Sequence, residues 1–149
     1  MINNMSKKVA GLVLVAALVS IAIGGLFIAQ AFAKADLITE TMVEQKVTYG
    51  GAEGGIDGLV DTPQEAATMA SILEEHRVTN LGYYTELARD DPNRQTILNA
   101  MTMENSLNLA VMGYGLTDVV KGSGAFMIIV GLTFGAIAVS SLRKGEKTS

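Results

Sequence analysis

The chain has 149 residues, of which 49% are hydrophobic and only 17% charged, with a mean hydropathy of +0.34. A soluble domain carries roughly 25% charged residues, so this balance points to a membrane protein. Cysteine is absent and there is a single histidine. That excludes disulfides, thiolate metal sites, CxxC redox chemistry, a cysteine nucleophile and a multi-histidine centre within one chain. The net charge of -4 gives no reason to expect nucleic acid as a partner, and no motif calls for a cofactor.

Two uncharged runs dominate the chain. Residues 9–33 form the first, between Lys8 and Lys34; residues 122–142 form the second, between Lys121 and Arg143. A hydrocarbon core of roughly 30 Å needs about 20 helical residues. Both runs are long enough, and only a helix satisfies a lone segment's backbone in lipid. The flanks set the orientation. Lys7 and Lys8 precede the first run, and Arg143, Lys144 and Lys147 follow the second. By the positive-inside tendency both termini, 1–8 and 143–149, are cytoplasmic, in the plasma membrane, with residues 34–121 outside. The outer segment carries 14 acidic and 6 basic residues, and its negative charge fits that side. A competing reading is a secretory signal, since Ala31-Phe32-Ala33 before Lys34 has the A-x-A pattern of a cleavage site. The run exceeds the usual apolar core of roughly 7–15 residues, which favours retention.

The outer segment reads as helical. Leu37, Ile38, Thr41, Met42 and Gln45 continue the first helix, which is expected to end at 47–49 before Gly50-Gly51. Residues 50–58 hold five glycines and read as a loop. Glu53 and Asp57 lie in it without the EF-hand spacing. Thr62-Pro63-Gln64-Glu65 is a capping box with proline at the first helical position. Behind it Ala66, Met69, Ala70 and Leu73 form one apolar face. Residues 78–82 are ambiguous between a turn and a continuation, and Tyr83, Tyr84 and Leu87 offer a short apolar patch. Asp91-Pro92 opens a third helix, with Ile97, Ala100, Met103, Leu107, Ala110, Val111 and Tyr114 on one face. Gly113, Gly115, Gly122 and Gly124 are expected to break or bend the path into the second run. Tyr114 suits either the headgroup level or a small outer core.

Small residues stripe both runs. Ala16, Ser20 and Gly24 are four apart, as are Gly25, Ala29 and Ala33, and Gly131 and Gly135 make a GxxxG pair. Lipid supplies no hydrophobic drive between helices, so close backbone contact at small side chains gains weight. Ala16, Ser20, Gly24, Gly131 and Gly135 are therefore the candidate helix-packing residues, acting between the two runs or with another subunit.

Catalytic chemistry finds little support. The runs hold no charge and no histidine, only Ser20, Gln30, Thr133, Ser140 and Ser141 as notable polar groups, whereas pumps and transporters place ionisable groups there. His76, within Glu74-Glu75-His76-Arg77, reads as a solvated helix face because no second histidine completes a site. Asp90 and Asp91 are better explained as a helix cap than as an acid–base pair. No nucleophile elbow, P-loop or dinucleotide fingerprint is present.

Glu44-Gln45-Lys46-Val47-Thr48, Tyr84-Thr85-Glu86-Leu87 and the Gly-rich approach to the second run give a resemblance. The chain resembles a family of small two-span bacterial membrane proteins common in actinobacteria and their relatives. The likeness is architectural over most of the chain and specific at the residues just quoted. It implies a two-helix transmembrane hairpin. Members often carry the label aromatic ring-opening dioxygenase, which this sequence does not support: iron-dependent ring cleavage uses two histidines and a carboxylate, and His76 stands alone. No site residue is carried over.

The expected protein is thus all-α, a two-helix transmembrane hairpin with a helical extracytoplasmic domain, and not an enzyme. The leading expectation is an accessory or scaffold subunit of a cell-envelope complex, bound to lipid and to a membrane protein partner or a second copy. The alternatives are an extracytoplasmic sensor or ligand-binding module working through a partner, and a small homo-oligomeric pore.

Overall fold

The computed structural model describes residues 2–48 and 58–146, with side chains over 7–48 and 58–144. Three α-helices and one short 3-10 turn account for most of these: α1 Ile2–Glu44, α2 Pro63–Leu81, the turn Tyr84–Glu86, and α3 Asn93–Glu146. The only β-type pairing among the described residues is an isolated bridge between Thr48 and Leu59. The chain divides into two compact units: Met1–Ala33 with Thr117–Ser149, and Lys34–Leu116. The expected glycine loop lies, apart from Gly58, outside the described residues, as do Glu53 and Asp57.

Local sequence explains both ends of α2 and the start of α3. At α2, the Thr62 hydroxyl accepts from the Glu65 N–H at 3.3 Å. The Glu65 carboxylate accepts from the N–H groups of Asp61 and Thr62, each at 3.1 Å. These bonds, the one from Asp61 foremost, hold the Glu65 carboxyl below the ordinary glutamate range, since donors aimed at a carboxylate favour its charged form. The helix then runs through the ambiguous segment to Leu81 and stops at Gly82, whose φ of 77° glycine adopts without steric cost. At α3, Asp91 accepts from the Asn93 N–H at 2.8 Å, so the aspartate caps as its position beside Pro92 predicts.

The end of α1 departs from expectation. The helix stops at Glu44, short of the glycines, in a Schellman arrangement. The Val47 N–H reaches the Met42 carbonyl at 3.2 Å and the Lys46 N–H the Val43 carbonyl at 3.0 Å. Lys46 takes the left-handed position at φ 50°, where glycine is the usual occupant. Val47 turns inward and packs against the buried cluster that holds Met42, in keeping with the apolar contact such a cap uses. Nor is α3 interrupted at Gly113, Gly115, Gly122 or Gly124; their low propensity, roughly 1 kcal/mol each against alanine, is overridden by tertiary packing.

The Lys34–Leu116 unit has its own core. Met42, Val60, Ala66, Ala70, Leu107 and Tyr114 are buried together, with Ile38, Met69, Leu73 and Val111 packed at the edge. Tyr114 is therefore a core residue here. Its hydroxyl meets the Thr39 hydroxyl at 2.6 Å, which satisfies the polar tip of a buried ring. Ile97 is fully buried, as its face predicts, but Met103 is 53% exposed. The turn of α3 next to Met103 instead buries Glu104, paired with Arg77.

Candidate functional site

The site that carries the sequence's candidate residues is the contact between the two segments of the Met1–Ala33 and Thr117–Ser149 unit. Its logic is a seven-residue repeat of small side chains. Among the described residues of this unit, the buried positions are Ala10, Ala17, Gly24 and Ala31 on α1 and Thr117, Gly124, Gly131 and Ala138 on α3. A seven-residue period keeps one seam of a helix facing its neighbour along a left-handed supercoil. With alanine, glycine and threonine on that seam the backbones approach closely.

The contacts fix the register. A Cβ added at Gly24 would lie 2.6 Å from the Gly124 carbonyl oxygen and 2.8 Å from Ile128. One added at Gly131 would lie 2.7 Å from the Ala17 carbonyl and from Ile21. Between these points the Ser20 hydroxyl donates to the Met127 carbonyl at 2.9 Å. Gly24 against Gly124, Ser20 against Met127 and Ala17 against Gly131 run in opposite chain directions, so the pair is antiparallel. Towards one end, the Lys121 ammonium lies 4.9 Å above the Phe32 ring and 2.9 Å from the Asp118 carboxylate.

Of the candidate packing residues, the structure brings Ser20, Gly24 and Gly131 into this contact. Gly135 sits beside it, with an added Cβ at an ordinary 3.6 Å from that of Ala17. Ala16 is exposed, on the rim of a cleft that Ala17 floors. The four-residue stripe drifts off the seam at that point because the seam advances by sevens. Gly25 meets nothing within 4 Å, and Ala29 and Ala33 are exposed. The sequence reading missed Ala10, Ala17, Ala31, Thr117, Gly124 and Ala138. A search for small residues seven apart in both runs would have found all of them but Thr117, which precedes the second run.

Outside the seam the same helices present large apolar side chains outward, among them Leu12 at 74% exposure, Leu18, Phe27, Phe126, Ile129 and Leu132. Both helices are long and apolar enough to cross a membrane, and only 11% of each apolar window is buried within the protein. The core helix of a soluble protein passes the same length test, but it would be mostly buried.

In the Lys34–Leu116 unit, Arg77 donates two hydrogen bonds to Glu104, from Nε at 2.6 Å and from Nη2 at 3.0 Å. The two side chains are only 9% and 10% exposed. The Glu104 hydrogen bond raises the Arg77 pKa above the ordinary arginine value, against the cost of burial. Arg94 lies 4.0 Å above the Tyr84 ring and donates to the Leu87 carbonyl. His76 is exposed on α2, and no three metal-capable side chains gather among the described residues. No protein-family model, curated protein or solved structure matches this chain.

Proposed function

We propose that the protein is a non-catalytic integral membrane protein whose two apolar helices cross the plasma membrane as a hairpin, and that it serves as an accessory subunit of a cell-envelope complex. On this reading both termini are cytoplasmic and residues 34–121 lie outside. The exposed apolar surface of the helix pair supports the membrane part, since soluble monomers rarely expose contiguous apolar patches beyond a few hundred Å². Retention of the first segment is supported by the continuity of α1 through positions 31–34, whereas proteolysis favours exposed, irregular chain.

One observation carries the accessory role. In the Lys34–Leu116 unit, α3 leaves Leu109, Met112 and Leu116 at 65–69% exposure. They follow one another at three and four, on one side of the helix. No charge interrupts them, and they precede the second uncharged run. An apolar helix face of this kind takes a partner helix. The glycine seam does not offer such a face, because Gly24, Gly124 and Gly131 are already occupied within the chain.

Photocrosslinking tests this role. A benzophenone amino acid at position 112 is expected to give an adduct with a different membrane protein, and Leu109→Glu is expected to abolish it while leaving helix content unchanged. Adducts only with further copies of this chain would shift the reading to a homo-oligomer, and a monomer without adducts in native membranes would remove it.

A further inference from the structure

In the Lys34–Leu116 unit a groove of about 380 Å³ opens between the end of α1, α2 and α3. Its walls are Met42, Met69, Leu73, Met103 and Leu107, with Lys46 at the rim. The volume falls in the range of roughly 300–1,000 Å³ common to small-molecule sites. Three thioether side chains give walls that adapt to flexible apolar chains.

The rim carries the more specific signal. Arg77 is held by Glu104 and Arg94 by Tyr84 and the Leu87 carbonyl. Lys46 is exposed and makes no ion pair among the described residues. It also occupies the left-handed cap position at φ 50°, where glycine would remove a steric penalty. A strained non-glycine residue at the mouth of a cavity is the kind of outlier that function explains. A mainly apolar groove, which Gln45, Thr48, Thr102 and Ser106 also line, with one cation unpaired among the described residues, is complementary to a single-chain anionic amphiphile. We propose that this groove binds a long-chain fatty acid, with its carboxylate on the Lys46 ammonium and its chain along Met42, Met69, Leu73 and Met103. The proposal is independent of the accessory role.

The test uses the full chain in phosphatidylcholine nanodiscs with a diazirine-bearing palmitate, and locates adducts by peptide mass spectrometry. Adducts are expected on peptides holding Met69, Leu73 or Met103. Palmitate should displace the probe when the two are compared at equal mole fraction in the bilayer, which takes up each methylene about as readily as the groove does. Hexadecanol should compete about ten-fold less well than palmitate, the worth of one charge-assisted bond. Lys46→Gly should keep or raise the melting midpoint, because it relieves the cap, and should erase the difference between acid and alcohol. Adducts confined to 9–33 and 122–142 would show bilayer partitioning only and overturn the proposal. So would equal competition by hexadecanol and palmitate on the unsubstituted chain, or an unchanged acid preference in Lys46→Gly.

Discussion

Gly131→Leu is expected to separate the helix pair, whereas Gly25→Leu, close by on the same pair, is expected to leave it intact. The contrast follows from what each new side chain meets. At Gly131 even the first carbon would stand 2.7 Å from the Ala17 carbonyl oxygen. Backbone cannot rotate aside, so the helices must move apart and lose the contacts along the seam. Overpacking costs roughly 1–3 kcal/mol, and a clash with the α1 backbone at both Ala17 and Ile21 places this case near about 3 kcal/mol. Gly25 meets nothing within 4 Å, so its substitution should not weaken the pair and should gain at most about 1 kcal/mol of helix propensity. The absence of native cysteine gives a clean readout. Cβ atoms at 17 and 135 stand 3.6 Å apart, inside the span of roughly 3.5–4.5 Å that a disulfide uses. An Ala17→Cys, Gly135→Cys chain should therefore close an internal disulfide on oxidation. Adding Gly25→Leu should not slow closure, and adding Gly131→Leu should suppress it. Equal closure in all three would mean the seam is not formed as described.

The second large effect belongs to the Arg77–Glu104 pair. Both side chains are about nine-tenths buried, and the bond is bidentate. Glu104→Ala would remove the guanidinium's hydrogen-bonded anion and leave only the through-space charge of Glu74, and breaking such a pair costs about 3 kcal/mol. The double variant Arg77→Met, Glu104→Leu should recover most of that loss, because two apolar side chains need no partner. Thermal unfolding of the full chain in detergent measures both. The effect should persist at high salt, which screens exposed pairs but not buried ones. It should also be flat across ordinary pH as far as Arg77 is concerned. A raised cation pKa contributes stability that is complete below the ordinary arginine value and is lost only as pH climbs through the raised one. If the single and double variants melt alike, the pair is not the determinant.

How far the sequence discloses this protein depends on the range of the interaction. The start of α2 was legible because Thr62, Pro63 and Glu65 act within four residues, and the observed bonds are the expected ones. The end of α1 was not. Gly50-Gly51 is the stronger stop signal on paper, while the actual stop depends on Lys46 accepting a conformation that lysine disfavours. Glu104 was hidden for another reason. A carboxylate among asparagine and serine reads as solvent-facing, and its partner is 27 residues away on another helix. The helix-packing residues were half visible. Spacing by four found Ser20, Gly24 and Gly131, but the contact runs by sevens, so Ala17 was passed over for its neighbour Ala16. The continuous α3 shows the same limit, since glycine propensity is local and the packing that overrides it is not.

The central claim is that both uncharged stretches cross lipid within one uncut chain, and cysteine accessibility tests it most directly. Single variants Lys8→Cys, Ser71→Cys and Lys144→Cys would be exposed to a membrane-impermeant maleimide on intact cells. The account predicts labelling at position 71 alone, with positions 8 and 144 reacting only after the membrane is opened. Labelling at 8 or 144 from outside, or a mature chain that has lost position 8, would contradict it.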